Sequence, residues 1–121
     1  MLFRSLGYSR YWVAEHHNST TLASATPEVL IPLLASHTSR IHVGSGGVML
    51  THYAALKVAE QFRMLETLFP GRIDIGLGRA PGSDGHTASA LRHGPGALPL
   101  EAYPQQVADV DRKSTRLNSS H

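Results

Sequence analysis

The sequence predicts an α/β fold with a parallel sheet, from three observations. Strand-like apolar runs begin at Tyr11, Ile41 and Arg72, spacings that suit successive βαβ units. The stretches between them carry apolar residues at helical spacing. Each run ends in polar or glycine-rich residues: Glu15-His16-His17, then Gly46-Gly47, then Gly78-Arg79. Crossovers between parallel strands are right-handed almost without exception, so the three strands lie side by side in order. Their terminal groups then share the carboxyl rim, where α/β folds gather ligand chemistry.

Each element follows from its residues. Met1 to Gly7 reads as the end of a helix, with Leu2, Phe3 and Leu6 on one side and Gly7 as a left-handed stop. Tyr11-Trp-Val-Ala14 is aromatic and β-branched, as a buried strand requires. A Ser/Thr-rich loop leads to a helix from Pro27, with Thr26 as N-cap and Glu28 favouring the helix dipole. Val29, Leu30, Leu33 and Leu34 form its stripe, and Pro32 falls near enough to the start to be tolerated. Ile41 to Leu50 reads as a strand weakened by Gly44, Gly46 and Gly47, a pattern that signals close backbone or ligand approach. Leu56, Val58, Ala59, Phe62, Leu65, Leu68 and Phe69 mark a helix over 54–69, stopped by Pro70-Gly71. Arg72 to Gly78 is the third strand, and Ser83-Asp84 caps a short helix through Arg92. His93 to Pro99 is a loop, and Pro104 to Val110 starts a helix that does not continue.

Composition bounds the function. The chain has 121 residues, 41% hydrophobic and 17% charged, as in globular proteins. With no cysteine, disulfides and thiolate chemistry are excluded. Neither a bilayer-spanning run nor a secretory signal is legible, so a cytoplasmic location and no membrane partner are expected. The net charge of +2 and pI of 9.3 come from the tail. Removing Arg112, Lys113 and Arg116, together with Asp111, leaves eight positive and eight negative groups. No basic stripe interleaved with aromatics remains, which argues against a nucleic-acid partner.

The motifs allow more than one reading. Glu15-His16-His17 suits a general base or a ligand-holding cluster, or a set of hydrogen-bonded structural residues. Neighbours on a strand point to opposite faces, so His16 and His17 do not share an ion, and no metal site is expected. Gly76-x-Gly78-x-x-x-Gly82 has the wrong spacing for a dinucleotide fingerprint, and Pro81 interrupts it. Arg79 suits bidentate capture of a phosphate, or else a surface ion pair with Asp84. Gly46-Gly47 suits a flat ring lying on bare backbone, a cis peptide, or a plain bulge.

Taken together, Tyr11-Trp-Val-Ala-Glu-His-His17, Gly44-Ser-Gly-Gly-Val-Met-Leu50, Val58-Ala-Glu-Gln-Phe62 and Pro70-Gly-Arg-Ile-Asp-Ile-Gly-Leu-Gly-Arg-Ala-Pro-Gly82 resemble the bacterial luciferase-like flavin-dependent monooxygenases. The resemblance runs from about Leu6 to Val110. It implies part of a TIM-type (β/α)8 barrel, roughly strands 2 to 4 with their helices. It also implies non-covalent FMN at the carboxyl rim, with deazaflavin F420 or a purely reductive chemistry as alternatives, and a non-catalytic flavin-binding paralogue as a third reading. By the same resemblance His16 is the active-site histidine beside the flavin and Glu15 its neighbour. Gly46 and Gly47 match a non-proline cis peptide under the flavin ring. Gly78 and Arg79 belong to the cofactor site, Arg79 binding the FMN phosphate. Reduced FMN, O2, a small organic substrate and a separate flavin reductase are implied, as is a homodimer through helices 27–38 and 54–69. Thr51 departs from the proline this group commonly has.

The expected organisation is therefore a partial luciferase-like barrel domain over 1–110, a fragment inactive alone, followed by a non-native tail. Asp111-Arg-Lys-Ser-Thr-Arg-Leu-Asn-Ser-Ser-His121 is polar and aperiodic, and resembles a translated sequencing adapter.

Overall fold

A computed structural model describes residues 5–92 and 99–119. Three strands form a parallel sheet in sequence order: β1 (Arg10–Val13), β2 (His42–Ser45) and β4 (Ile73–Asp74). Beyond their ends β3 (Val48–Met49) pairs in parallel with β5 (Leu77–Gly78). Helices α1 (Pro27–Ser36) and α2 (Ala55–Leu68) are the crossovers, and α3 (Gly85–Leu91) and α4 (Tyr103–Ser119) follow. The strand order is the one that right-handed βαβ units dictate. No described helix is long and apolar enough to cross a membrane.

One face of the sheet carries the core. Val13, Ile31, Ile41, Val43, Leu50, Val58 and Phe62 are buried together there, with Tyr11 packed against them. Alternation sends Arg10 and Trp12 to the opposite face. Arg72 closes the base of the core. Its guanidinium donates to the carbonyls of Ala35 and Thr38 at 3.1 Å, to the Ile41 carbonyl at 3.2 Å, and to Thr38 Oγ1 at 2.7 Å. A planar fork is thus laid across the carbonyl end of α1 and the start of β2, where the helix dipole favours a cation.

Several expectations are corrected. The runs 41–50 and 72–78 are not continuous strands. Both break at the same level, where the Gly46–Gly47 peptide is cis. At that level Ser45 Oγ donates to the Gly76 carbonyl at 2.9 Å and accepts from Gly76 N at 3.0 Å. Thr26 starts α1 through its carbonyl, which accepts from Val29 N and Leu30 N, while its hydroxyl makes no cap bond. The last helix does not stop at Val110. It runs on through residues of the expected non-native tail, because nothing after Pro104 breaks a helix and Arg112 pairs with Asp109 one turn back. Of the helix expected before Gly7, residues 1–4 lie outside the described residues, as do 93–98 of the Gly/Pro-rich loop.

Backbone approach at the middle of the sheet is close. A Cβ on Gly44 would stand 2.3 Å from the Asp74 carbonyl oxygen on the neighbouring strand. Gly44→Ala is expected to destabilise the fold by about 2 kcal/mol through forced separation of β2 and β4. Urea unfolding would read this as a lower midpoint at unchanged slope.

Candidate functional site

The turn after β1 is built into the fold, not hung from it. His16 N donates to the Ser24 carbonyl at 2.9 Å, and His17 N to the Gly82 carbonyl at 3.0 Å. The second bond joins the loop after β1 to the loop after β5. Ser24 Oγ returns a bond to the Ala14 carbonyl at 2.6 Å. These contacts fix which way each of the three titratable side chains points.

Glu15 points inward and is fully buried. Its Oε2 accepts from the Tyr53 hydroxyl at 2.9 Å and lies 2.7 Å from His17 Nε2. The His17 ring meets His52 edge-on, with centroids 5.7 Å apart. His52 Nε2 lies 2.6 Å from the Pro81 carbonyl, which can only accept, so this nitrogen carries the hydrogen. Glu15 Oε1 and His52 Nδ1 are buried without a partner. The loop after β3 is held from the other side by buried Gln106 of α4, whose Nε2 donates to the carbonyls of Leu50 and Tyr53 at 3.1 and 3.2 Å. Thr51, in place of the expected proline, is buried within that ordered turn.

His16 points the other way. It is exposed, and among the described residues its ring makes no hydrogen bond. Gly46 is exposed and Gly47 half-buried, and a Cβ on Gly47 would stand 2.8 Å from the Gly76 carbonyl group. Arg79 is exposed, and no ion pair with Asp84 forms. Asp84 instead caps α3, accepting from Thr87 N at 2.8 Å, which holds its carboxyl below the usual range. The imidazole follows β1, the bare peptide follows β2 and the guanidinium follows β5, each beyond the carboxyl end of a parallel strand.

Two candidate residues sit differently from expectation. Glu15 is fully buried and bonded to His17 and Tyr53, so its carboxyl does not open onto the rim. Gly78 is paired within β5 opposite Met49, whose methyl lies 2.4 Å from where a Cβ would be, so its missing side chain makes room for Met49. Tyr53, His52 and Gln106 were not singled out by sequence. His52 and Tyr53 did carry the signal that marked Glu15, polar groups just past a strand end.

Burial, and then the nearby Glu15 carboxylate, push the Tyr53 hydroxyl far above its ordinary pKa of 10.0. A pKa raised on folding means the neutral form is favoured in the folded chain. Its contribution is complete below pH 10 and is lost as pH rises above it, because the unfolded chain ionises first. Stability is expected to fall on the alkaline side of pH 10 less steeply in Tyr53→Phe than in the native chain, as urea midpoints would show.

Comparison with known proteins bears on the family and the fold. The luciferase-like monooxygenase family matches residues 3–103. The chain is 56% identical over 105 residues to a luciferase-like monooxygenase of Escherichia coli (strain K12), covering 86% of this chain and 31% of that protein. It is 55% identical over 111 residues to the N-acetyl-S-alkylcysteine monooxygenase of Bacillus subtilis (strain 168), covering 92% and 31%. Among solved structures, apo-MsnO8 superposes with a TM-score of 0.81 at 44% identity, covering 91% of this chain and 33% of that one. The oxygenating constituent of 3,6-diketocamphane monooxygenase from Pseudomonas putida, in complex with FMN, shares the fold with a TM-score of 0.67 at 24% identity, over 95% of this chain and 30% of that one. The chain spans about a third of the length of the relatives it matches, and its β/α units correspond to part of their TIM-type barrel. The match across these units, in sequence and in fold, makes this chain a member of the luciferase-like monooxygenase family.

Proposed function

We propose that the chain contributes the cofactor rim of a flavin-dependent monooxygenase that uses reduced FMN and O2 to oxidise a small organic substrate. The observation that supports it is that His16, the Gly46–Gly47 peptide and Arg79 all follow the carboxyl ends of parallel strands, with His16, Gly46 and Arg79 exposed. The residues fit the cofactor. Gly46 presents exposed backbone with no side chain of its own to a flat ring, and Arg79 is an exposed cation that forms no ion pair with Asp84. In this reading FMN supplies the activation of O2, and the protein supplies placement and proton control. Arg79 holds the phosphate, the 46–47 peptide supports the ring, and His16 stands beside it able to give or take a proton. Glu15, His17 and Tyr53 keep the turn that carries His16 in one geometry, which is what a reacting group needs.

The finer parts of the reading extend to partners. A separate reductase delivers reduced flavin, and two copies associate through α1 and α2. Support for the second comes from Val29 and Leu33 on α1 and Leu56, Met64 and Leu68 on α2, all large, apolar and exposed.

The test separates phosphate from ring. Arg79→Ala is expected to weaken FMN binding by about tenfold, the worth of a charge-assisted pair. Riboflavin, which has no phosphate, is expected to bind both forms alike. Equal FMN affinity for the two forms in equilibrium dialysis would rule out Arg79 as the phosphate ligand.

A further inference from the structure

Trp12 is the only tryptophan in the chain. It stands on the face of β1 opposite the core and is 58% exposed. Such a ring on open sheet would ordinarily swing between rotamers, yet this one is tied. Its Nε1 donates to Asp74 Oδ2 at 2.8 Å, and Arg10 Nη1 holds both Asp74 oxygens at 2.6 Å. The carboxylate is thereby fixed by one partner and fixes the other. The indole also reaches the break in the sheet. A Cβ built on Gly46 would lie 3.2 Å from Trp12 Cβ and 3.6 Å from ring atom Cε3. The side-chain-free peptide and the immobilised aromatic face are thus adjacent surfaces of one corner.

We propose that Trp12 forms an aromatic wall of the flavin site, meeting a flat ring that lies on the Gly46–Gly47 peptide, with Asp74 and Arg10 as the residues that set its angle. This rests on the reading of the rim as an FMN site. The physical case is preorganisation: an exposed ring already held in one orientation loses little freedom when a ligand arrives, and aromatic faces favour offset contact with other rings. The same anchoring accounts for a paired Trp–Asp–Arg set on a face that carries no core.

The experiment uses FMN with the full chain, bound and free separated by ultrafiltration. Flavin emission per bound molecule is read with excitation in the visible band, where tryptophan does not absorb. An indole in van der Waals contact extinguishes flavin emission, and phenylalanine does not. Bound FMN is expected to be nearly dark in the native chain and several-fold brighter in Trp12→Phe, with affinity lowered about fivefold. In Asp74→Asn the indole remains but is no longer held by a charged acceptor, and an intermediate brightness is expected. Equal emission per bound FMN in the native chain and Trp12→Phe overturns the role of Trp12 and leaves the FMN reading standing. FMN recovered wholly in the filtrate from the native chain overturns both. Should Trp12→Phe fail to melt cooperatively, Asp74→Asn decides, and bound emission equal to the native value overturns the proposal.

Discussion

Glu15→Ala is expected to cost about 4 kcal/mol of stability, the largest effect of any single change considered. The carboxylate is fully buried and is the shared acceptor for Tyr53 and His17. Its removal leaves a half-buried hydroxyl and an imidazole without their partner, and opens a cavity where the buried side chain stood. Two losses add: the charge-assisted bonds themselves and the desolvation of the groups left behind. Glu15→Gln keeps the volume and an acceptor oxygen, so it is expected to recover roughly half of the loss. Tyr53→Phe removes one bond only and should cost about 1 kcal/mol. Urea midpoints of the three variants give the ordering. An Ala variant no weaker than the Phe variant would mean that the carboxylate is not the hub of the cluster.

Arg72→Ala should come second, at about 3 kcal/mol. Four acceptors lose their donor together: the carbonyls of Ala35, Thr38 and Ile41, and Thr38 Oγ1. Water can reach part of this half-buried site, which keeps the loss below the sum of four buried bonds. Arg72→Lys should recover little, because one ammonium point cannot span acceptors that a planar fork reaches at once. Full recovery by Lys would show that charge at the end of α1, not the fork, is what matters.

Much of this architecture was legible in the sequence, for reasons that can be named. The order of β1, β2 and β4 followed from the spacing of strand starts and the handedness of crossovers. Asp84 as cap of α3 followed from its place just before a helical run. Local signals of this kind survive folding because they depend on a few neighbouring residues. What was not legible depends on distant ones. Tyr53 meets Glu15 across 38 positions and Gln106 meets Leu50 across 56, and no periodicity encodes such meetings. The inward turn of Glu15 and the outward turn of His16 are set by Ser24 and Gly82, two loops apart in the chain. The continuous strands expected over 41–50 and 72–78 failed for a related reason. Ser45 and Gly76 interrupt both strands cooperatively, and neither segment reveals this alone. The helix from Pro104 was expected to end at Val110, where the polar, aperiodic residues begin, yet it continues through Ser119. Helix propensity and the Asp109–Arg112 pair carry α4 onward without an apolar stripe.

The crowding around Gly44, Gly47 and Gly76 bears on how such a scaffold diversifies. At each of these positions even one methyl carbon would collide with neighbouring main chain. The floor of the rim is therefore closed to tailoring by side-chain replacement, whatever molecule is to be accommodated. New selectivity has to be written elsewhere, in the segments 18–26 and 79–84 that border this floor, where a change of residue need not part the strands.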